Sequence, residues 1–234
     1  MLNALHSEAH WEFDRVWNEF AARPDLWVGI ITGAGERAFS AGNDLKVQAA
    51  GRRGPRPATG FAGLTSRFDL DKPLIAAVNG VAMGGGFETA LACDIIIAAE
   101  NAVFALPEPL VGLIAGSGVH RLPRLIPQKA ALGIILTGRR VPAAEGKSLG
   151  FVNEVVPAGE ALAAARRWAA LILECSPMAI RASKQVACRS LDAPTLEAAM
   201  TATYPAQAAN LASQDYVEGP RAFAERRKPN WRNR

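Results

Sequence analysis

One stretch of the chain carries most of the information about its fold: residues 74–88, with the sequence LIAAVNGVAMGGGFE. Its first five residues, Leu74 to Val78, are all apolar, as is typical of a strand that is buried on both faces. Asn79-Gly80 then predicts a turn, and Gly84-Gly85-Gly86 precedes a helical stretch from about Gly86 to Ala92. A buried strand that leads through glycines into a helix indicates an α/β architecture.

The flanking segments continue this alternation of short strands and helices. Upstream, helical spacing from Ser7 to Arg23 ends before Pro24, and Leu26 to Thr32 is predicted as a buried strand. Downstream, short strands are predicted at residues 95–99, 103–105 and 151–156, and the pattern is helical from about Ala161 onward. We therefore predict an α/β core over residues 1–158 and a C-terminal helical region over residues 159–234.

Composition excludes several classes of protein. The chain has 234 residues, of which 50% are apolar, so it can bury a sizeable core and is not disordered. No apolar run approaches the roughly 20 residues that span a bilayer, and no signal peptide opens the chain. We expect a cytoplasmic protein with no membrane partner.

Cysteine and histidine usage gives no sign of a metal or redox site. Cys93, Cys175 and Cys188 form an odd set without metal-type spacing, and we interpret them as reduced packing residues. The three histidines are too scattered for a convincing metal site, although His6 and His10 would share a helical face. We predict no metal and no bound cofactor.

The positive charge is concentrated in two clusters. Three arginines lie in a glycine- and proline-rich loop, and five basic residues lie near the end of the chain: Arg52, Arg53 and Arg56, then Arg226, Arg227, Lys228, Arg232 and Arg234. Either cluster could meet phosphates, on a nucleotide-like group or on nucleic acid, or could be solvated surface charge.

Two glutamates and two glycine-containing turns are the candidate chemistry. Glu88 follows the triple glycine, Glu108 lies in Pro107-Glu108-Pro109, and Gly42 lies in the segment FSAGND of residues 39–44. Backbone N–H groups in such turns can face an oxyanion, and carboxylates can transfer protons. Because Glu108 lies in an apolar stretch, we expect burial to raise its pKa. Taken singly, the glycines could serve only close packing, and Glu88 could serve only helix stability.

Other catalytic motifs are missing from the sequence. Ser117 has no Gly-x-Ser-x-Gly elbow, no phosphate-binding Gly-x4-Gly-Lys-Ser/Thr occurs, and Gly84-x-Gly86 is not followed by the third glycine of a dinucleotide site. These absences disfavour nucleotide hydrolysis and dinucleotide redox chemistry.

Taken in order, five segments resemble the enoyl-CoA hydratase/isomerase (crotonase) superfamily across essentially the whole chain: FSAGNDL at 39–45, KPLIAAVNG at 72–80, GGGFE at 84–88, CD at 93–94 and PE at 107–108. Residues 70–73, 104–108, 136–140 and 218–225 look most like its carnitinyl-CoA dehydratase subgroup. The resemblance implies a spiral of β-β-α turns, with C-terminal helices that build trimers or paired trimers. It also implies an acyl-CoA thioester substrate, with coenzyme A as part of the substrate.

The resemblance also implies roles for individual residues. The backbone N–H groups of Asn43 and Gly85 would form the oxyanion hole for the thioester oxygen, and Glu88 and Glu108 would act on water and on the α-proton. The substrate site would be lined by Ala41, Asn43, Asp44, Leu45, Gly84 and Gly85. Asp44 could instead only cap the following helix.

The chain departs from the superfamily pattern in two places. It starts at a point where the family has already completed an N-terminal strand pair and a CoA-contacting turn. Residues 113–121, LIAGSGVHR, replace a proline and a glycine-rich Thr-Gln segment that border the acyl site in the family. The second departure predicts an unusual acyl group.

We therefore expect a lyase that interconverts 3-hydroxyacyl-CoA and 2-enoyl-CoA. One alternative is an enoyl-CoA isomerase, which can manage with one base, so the presence of two glutamates argues against it. The other is a non-catalytic member of the fold that binds acyl-CoA or RNA. Retention of both glutamates and both oxyanion segments disfavours that alternative and, with it, a nucleic-acid partner.

Overall fold

In a computed structural model of the chain, residues 2–44 and 54–234 are described. These residues divide between two compact units, the first drawn from Met1–Ala22, Ile30–Phe68 and Leu74–Arg167, the second from Arg23–Gly29, Asp69–Pro73 and Trp168–Arg234. In the described part of the chain, no helix combines the length and the apolar character needed to cross a membrane.

Short strands build two four-stranded sheets. In chain order the strands are β1 (Gly29–Thr32), β2 (Ala38–Ser40), β3 (Leu74–Val78), β4 (Val81–Met83), β5 (Ile95–Ala99), β6 (Val103–Ala105), β7 (Val141–Pro142) and β8 (Glu154–Val156). One sheet has the order β1-β3-β5-β8 and the other the order β2-β4-β6-β7.

Strands β1 to β6 alternate between the two sheets along the chain, and the pairs β2–β4, β3–β5, β4–β6 and β5–β8 are parallel. Ile75 pairs with Ile95 in the first sheet, and Val81 pairs with Val103 in the second. The β6–β7 pair, in which Phe104 faces Val141, is antiparallel. This arrangement is a spiral of β-β-α turns, so the predicted fold class is confirmed.

The helices described are α1 (Ser7–Ala22), α2 (Gly85–Leu91), α3 (Gly118–Leu125), α4 (Gln128–Thr137), α5 (Ala143–Leu149), α6 (Ala161–Leu173), α7 (Pro177–Arg189), α8 (Leu196–Thr201), α9 (Pro205–Leu211) and α10 (Gln214–Ala224). Short 3-10 turns occur at Phe61–Gly63, Glu108–Val111 and Ser190–Asp192.

The apolar run of β3 is buried at all five positions, as the sequence predicts for a parallel strand covered on both faces. Beside it, the rings of Phe87, Phe104 and Phe151 form a cluster with centroids 5.0–5.2 Å apart. Phe87 belongs to α2, so this cluster fixes the position of the helix. Glu88 is the next residue along it.

Two predicted elements differ in detail from the structure. The strand expected from Leu26 begins only at Gly29, because the Leu26 N–H donates to the Arg23 carbonyl and holds the chain in a turn. On α1, His10 is buried with Trp17 and Phe20, whereas Val16 is exposed. The buried face of α1 is therefore rotated from the one that its apolar residues alone predict.

The second unit is organised around buried polar residues. Asp215 is 2% exposed and accepts hydrogen bonds from the Ser176 hydroxyl and from the Arg232 N–H. Gln185 on α7 accepts the Ala206 N–H of α9. The predicted boundary near residue 158 stays a prediction.

Candidate active site

Two glycine turns lie side by side at the carboxyl ends of neighbouring strands. β2 and β4 pair in parallel, and the chain continues from β2 into Gly42 and from β4 into Gly84. A Cβ at Gly42, where φ is +83°, would lie 2.6 Å from the Met83 carbonyl oxygen and 3.0 Å from the Gly85 nitrogen. Only glycine permits this backbone and this approach, so the two turns meet because Gly42 has no side chain.

The geometry of both predicted oxyanion donors follows from these turns. Gly85 is the first residue of α2, so its N–H has no partner within the helix. On the other turn, the Leu5 N–H donates to the Gly42 carbonyl at 2.8 Å, and the Asp44 N–H donates to the Leu5 carbonyl at 3.1 Å. In such a parallel bridge the N–H of Asn43 points away from Leu5.

Glu88 is held by the N-terminus of α3. Its Oε1 accepts hydrogen bonds from the Ser117 N–H at 2.5 Å and the Gly118 N–H at 2.7 Å, and the Ser117 hydroxyl lies 3.3 Å away. Glu88 as a whole residue is 6% exposed. Two backbone donors to one oxygen orient the carboxylate and make that oxygen an acceptor.

Glu108 has different surroundings. Its Oε1 lies 2.6 Å from where a Cβ of Gly84 would be, so the carboxyl group packs directly over the second glycine turn. Its buried Oε2 has no hydrogen-bond partner among the described residues. Burial, with a further contribution from the charge of Glu88, raises the pKa of Glu108 to about 7. This is the direction expected from its apolar sequence context.

The remaining predicted residues are placed as follows. The Ala41 N–H donates to the Leu2 carbonyl at 2.8 Å, which aligns residues 41–44 with the start of the chain. Leu45, Arg52 and Arg53 lie outside the described residues, as do the residues directly after Asp44, so the alternative role of Asp44 as a helix cap stays a prediction. Among residues 2–44 and 54–234, no group of three or more His, Cys, Asp or Glu side chains could hold a metal ion.

Several contacts at this site have no signal in the sequence. Ser117 contacts Glu88, which is 29 positions away in the sequence. Ser117 belongs to residues 113–121, for which the sequence predicts only a border of the acyl site. Arg56, interpreted as a phosphate ligand or surface charge, donates to the Asn43 side-chain oxygen at 3.2 Å. Phe61 packs on Gly85. No local motif marks any of these pairs.

Comparison with known proteins places the chain in a family. It matches the family model described as enoyl-CoA hydratase/isomerase over residues 1–234. It is 45% identical over 244 aligned residues to the carnitinyl-CoA dehydratase of Escherichia coli (strain K12), covering 99% of this chain and 91% of that protein. The chain therefore belongs to the enoyl-CoA hydratase/isomerase family, and the predicted resemblance is confirmed.

Solved structures agree with this assignment. The enoyl-CoA hydratase from Mycobacterium tuberculosis H37Rv is 37% identical with a TM-score of 0.92, over 99% of this chain and 90% of that one. The carnitinyl-CoA hydratase from Mycobacterium avium is 40% identical with a TM-score of 0.76, over 99% and 90% of the two chains.

Proposed function

We propose that this chain is a lyase that interconverts 3-hydroxyacyl-CoA and 2-enoyl-CoA, with water as the second reactant. The observation that carries the proposal is a pair of differently held carboxyl groups, Glu88 and Glu108, that lie close enough for the charge of one to affect the other, with Glu108 packed over the Gly84 turn. Dehydration needs a base for the α-proton, stabilisation of the resulting enolate, and help for the departing hydroxyl group. Two carboxyl groups and two backbone N–H groups can supply all three.

In the proposed mechanism, Glu108 carries the α-proton. A carboxyl group with a pKa of about 7 is half protonated near neutral pH, so it can take the α-proton in dehydration and return it in hydration. Glu88 has one oxygen fixed by two backbone donors, which leaves its other oxygen to hold the second reactant. In hydration this oxygen takes a proton from the attacking water, and in dehydration it gives that proton to the departing hydroxyl group, which leaves as water.

The thioester oxygen would lie between the Asn43 and Gly85 N–H groups. When the α-proton leaves, negative charge develops on this oxygen, and each preorganised donor is worth about 2.7 to 4 kcal/mol of transition-state stabilisation. Since both donors belong to the backbone, their placement depends on the two glycine turns rather than on the Asn43 side chain.

For the acyl group we propose a carnitinyl-CoA-like substrate. Support comes from the relatives named carnitinyl-CoA dehydratase and from residues 113–121, where the sequence departs from short-chain hydratases. Ser117 lies within that segment and its N–H donates to Glu88. A change in the segment therefore alters the position of the carboxyl group that is proposed to hold water.

The test is turnover of crotonyl-CoA and of carnitinyl-CoA by the purified chain, beside Glu88→Gln and Glu108→Gln. Exposed Glu12 on α1 offers a matched control as Glu12→Gln. We expect wild type and control to be active and both site variants to lose nearly all turnover. The substrate that wild type prefers shows to which subgroup of the family its activity corresponds.

Two outcomes would contradict the proposal. A Glu88→Gln variant that still shifts a double bond would indicate an isomerase that relies on Glu108. A folded wild type that binds acyl-CoA or RNA without turnover would indicate a binding protein; RNA binding would weaken steeply with salt.

We further propose a homotrimer or a pair of trimers, active in the cytoplasm without an added cofactor. Large apolar side chains exposed on the C-terminal helices, including Met200 and Phe223, support an assembly surface. Among the described residues, Cys93, Cys175 and Cys188 are not joined in disulfides, which fits a reducing compartment. Light scattering on the purified chain tests the assembly, and activity after exhaustive dialysis against a chelator tests the absence of a cofactor.

A further inference from the structure

The Phe61 ring forms one wall of the Gly84–Gly85 turn. Phe61 is 4% exposed, and a Cβ at Gly85 would lie 2.6 Å from both Cε2 and Cζ of its ring. The ring therefore lies directly against the Cα of Gly85. Any movement of the ring toward or away from this residue changes the space that the Gly85 backbone occupies.

Helix α1 holds Phe61 through the residue that follows it. His10, 1% exposed, accepts the Ala62 N–H on Nδ1 at 3.2 Å, and its ring centroid lies 4.5 Å from that of Phe61. The Trp17 indole N–H donates to the Ala62 carbonyl at 3.0 Å. Ala62 adopts φ +50°, a conformation unfavourable for alanine that persists only where the surroundings enforce it.

Arg56 joins Phe61 to the other turn. Its guanidinium carbon lies 5.4 Å from the Phe61 ring centroid, within the range of a cation–π contact. The same guanidinium donates from Nη2 to the Asn43 side-chain oxygen at 3.2 Å. One side chain thus touches the residue whose N–H is one proposed donor and the ring that packs on the other.

We propose that Phe61 is a positioning residue of the oxyanion hole, and that His10 and Arg56 hold it where it sets the distance between the Asn43 and Gly85 N–H groups. This inference rests on the proposed function. Phe61 acts through Gly85 and does not touch the reacting atoms.

A phenylalanine that only fills the core would behave differently from a positioning residue. Loss of core packing lowers stability and leaves the active molecules with normal kinetics. Misplacement of a donor by about 1 Å can cost about 100-fold in rate, and it does so in the transition state, so kcat falls while KM changes little.

The experiment compares Phe61→Leu with Val156→Ala. Val156 is the control because it is 6% exposed on β8, in the sheet that does not carry the two glycine turns. We expect a drop in kcat of about 10- to 100-fold in Phe61→Leu with KM within about threefold, and normal kcat in Val156→Ala despite a lower Tm.

A spectroscopic readout separates this inference from the proposed function. The probe is a coenzyme A thioester of a conjugated aryl-enoyl acid, whose absorption band moves to longer wavelength when its carbonyl is polarised. Wild type should shift the band, and Phe61→Leu should bind the probe with a much smaller shift. A wild type that shifts the band without turnover would contradict the proposed function and leave the positioning role standing.

Arg56→Lys is a second variant, which tests the inference if Phe61→Leu does not fold. Lysine keeps the positive charge but lacks the planar guanidinium that contacts the Phe61 ring and the Asn43 side-chain oxygen at the same time. We expect a three- to tenfold loss of kcat, on the order of 1 kcal/mol, and a reduced band shift. Wild-type kcat and an unchanged shift in Arg56→Lys and in a folded Phe61→Leu would overturn the inference.

Discussion

Replacing Glu108 by glutamine should make the protein more stable at alkaline pH while abolishing its activity. Burial raises the pKa of Glu108 from its ordinary 4.5 to about 7, so ionising it in the folded state is unfavourable. Each pKa unit corresponds to about 1.36 kcal/mol, which gives an upper limit of about 3.4 kcal/mol. Since the side chain is only partly buried, solvent screening reduces the expected effect to about 1 to 2 kcal/mol.

The pH at which this effect appears follows from the sign of the shift. Between pH 4.5 and about 7, the folded state keeps a proton on Glu108 that the unfolded chain has lost, so wild-type stability falls as pH rises through this window. Glutamine carries no ionisable proton. The stability advantage of Glu108→Gln should therefore be small at pH 5 and almost complete at pH 8.

Urea unfolding of wild type and Glu108→Gln at these two pH values measures the effect. Other titrating groups cancel in the difference between the two proteins, and Glu12→Gln, at an exposed position on α1, serves as a control with no expected change between the two pH values. A Glu108→Gln variant that is equally stable relative to wild type at pH 5 and pH 8 would refute the reasoning from burial. It would also remove the basis for Glu108 as the proton carrier.

Three further predictions concern the same unit. Gly85→Ala should lower kcat by about 100- to 1,000-fold, because its Cβ would lie 2.6 Å from the Phe61 ring, whereas Gly133→Ala, with open space around it, should retain full activity. In a pH–rate profile, kcat/KM for dehydration should rise through pH 7 as Glu108 loses its proton, and kcat/KM for hydration should fall over the same range. If kcat/KM changed in the same direction for both reactions, the role of Glu108 as proton carrier would be contradicted. Burial lowers the pKa of His10 from 6.5 to about 4, so stability should decrease by up to about 3 kcal/mol as pH falls through this window, and His10→Gln should flatten that slope in unfolding curves.

The sequence predicts the frame of the fold well because that frame depends on local patterns. The apolar run Leu74–Val78 is short and is followed by the turn residues Asn79-Gly80, which favours a buried strand, and the glycines after Met83 mark the start of α2 within a residue. The strand expected at Leu26 is shorter because a turn hydrogen bond at Arg23 competes with it.

The candidate site is only partly predictable from the sequence. Glu88 and Glu108 are recognisable from their segments, yet nothing in the sequence states that a Gly118 N–H reaches Glu88 or that Phe61 covers Gly85. These contacts depend on how whole turns of the spiral pack, and no local sequence pattern links residues that are 30 positions apart, as Glu88 and Gly118 are, or 24 positions apart, as Phe61 and Gly85 are. The pattern identifies the chemical groups, and only the packing shows what orients them.

The register of the parallel strands has a consequence for how this chain can vary. Ile75 pairs with Ile95, 20 residues further on, and Val81 pairs with Val103, 22 residues further on, whereas Ile97 pairs with Glu154, 57 residues further on. A winding is the stretch of chain between two paired residues. The short windings consist mostly of the strands β3 to β6 and the helix α2, and they contain the Gly84 turn and Glu88. The long winding contains Glu108, Ser117 and α3 to α5. Natural variants should therefore gain and lose residues mostly in the long winding, where surface segments tolerate length changes, and so acquire new acyl preferences on an unaltered frame.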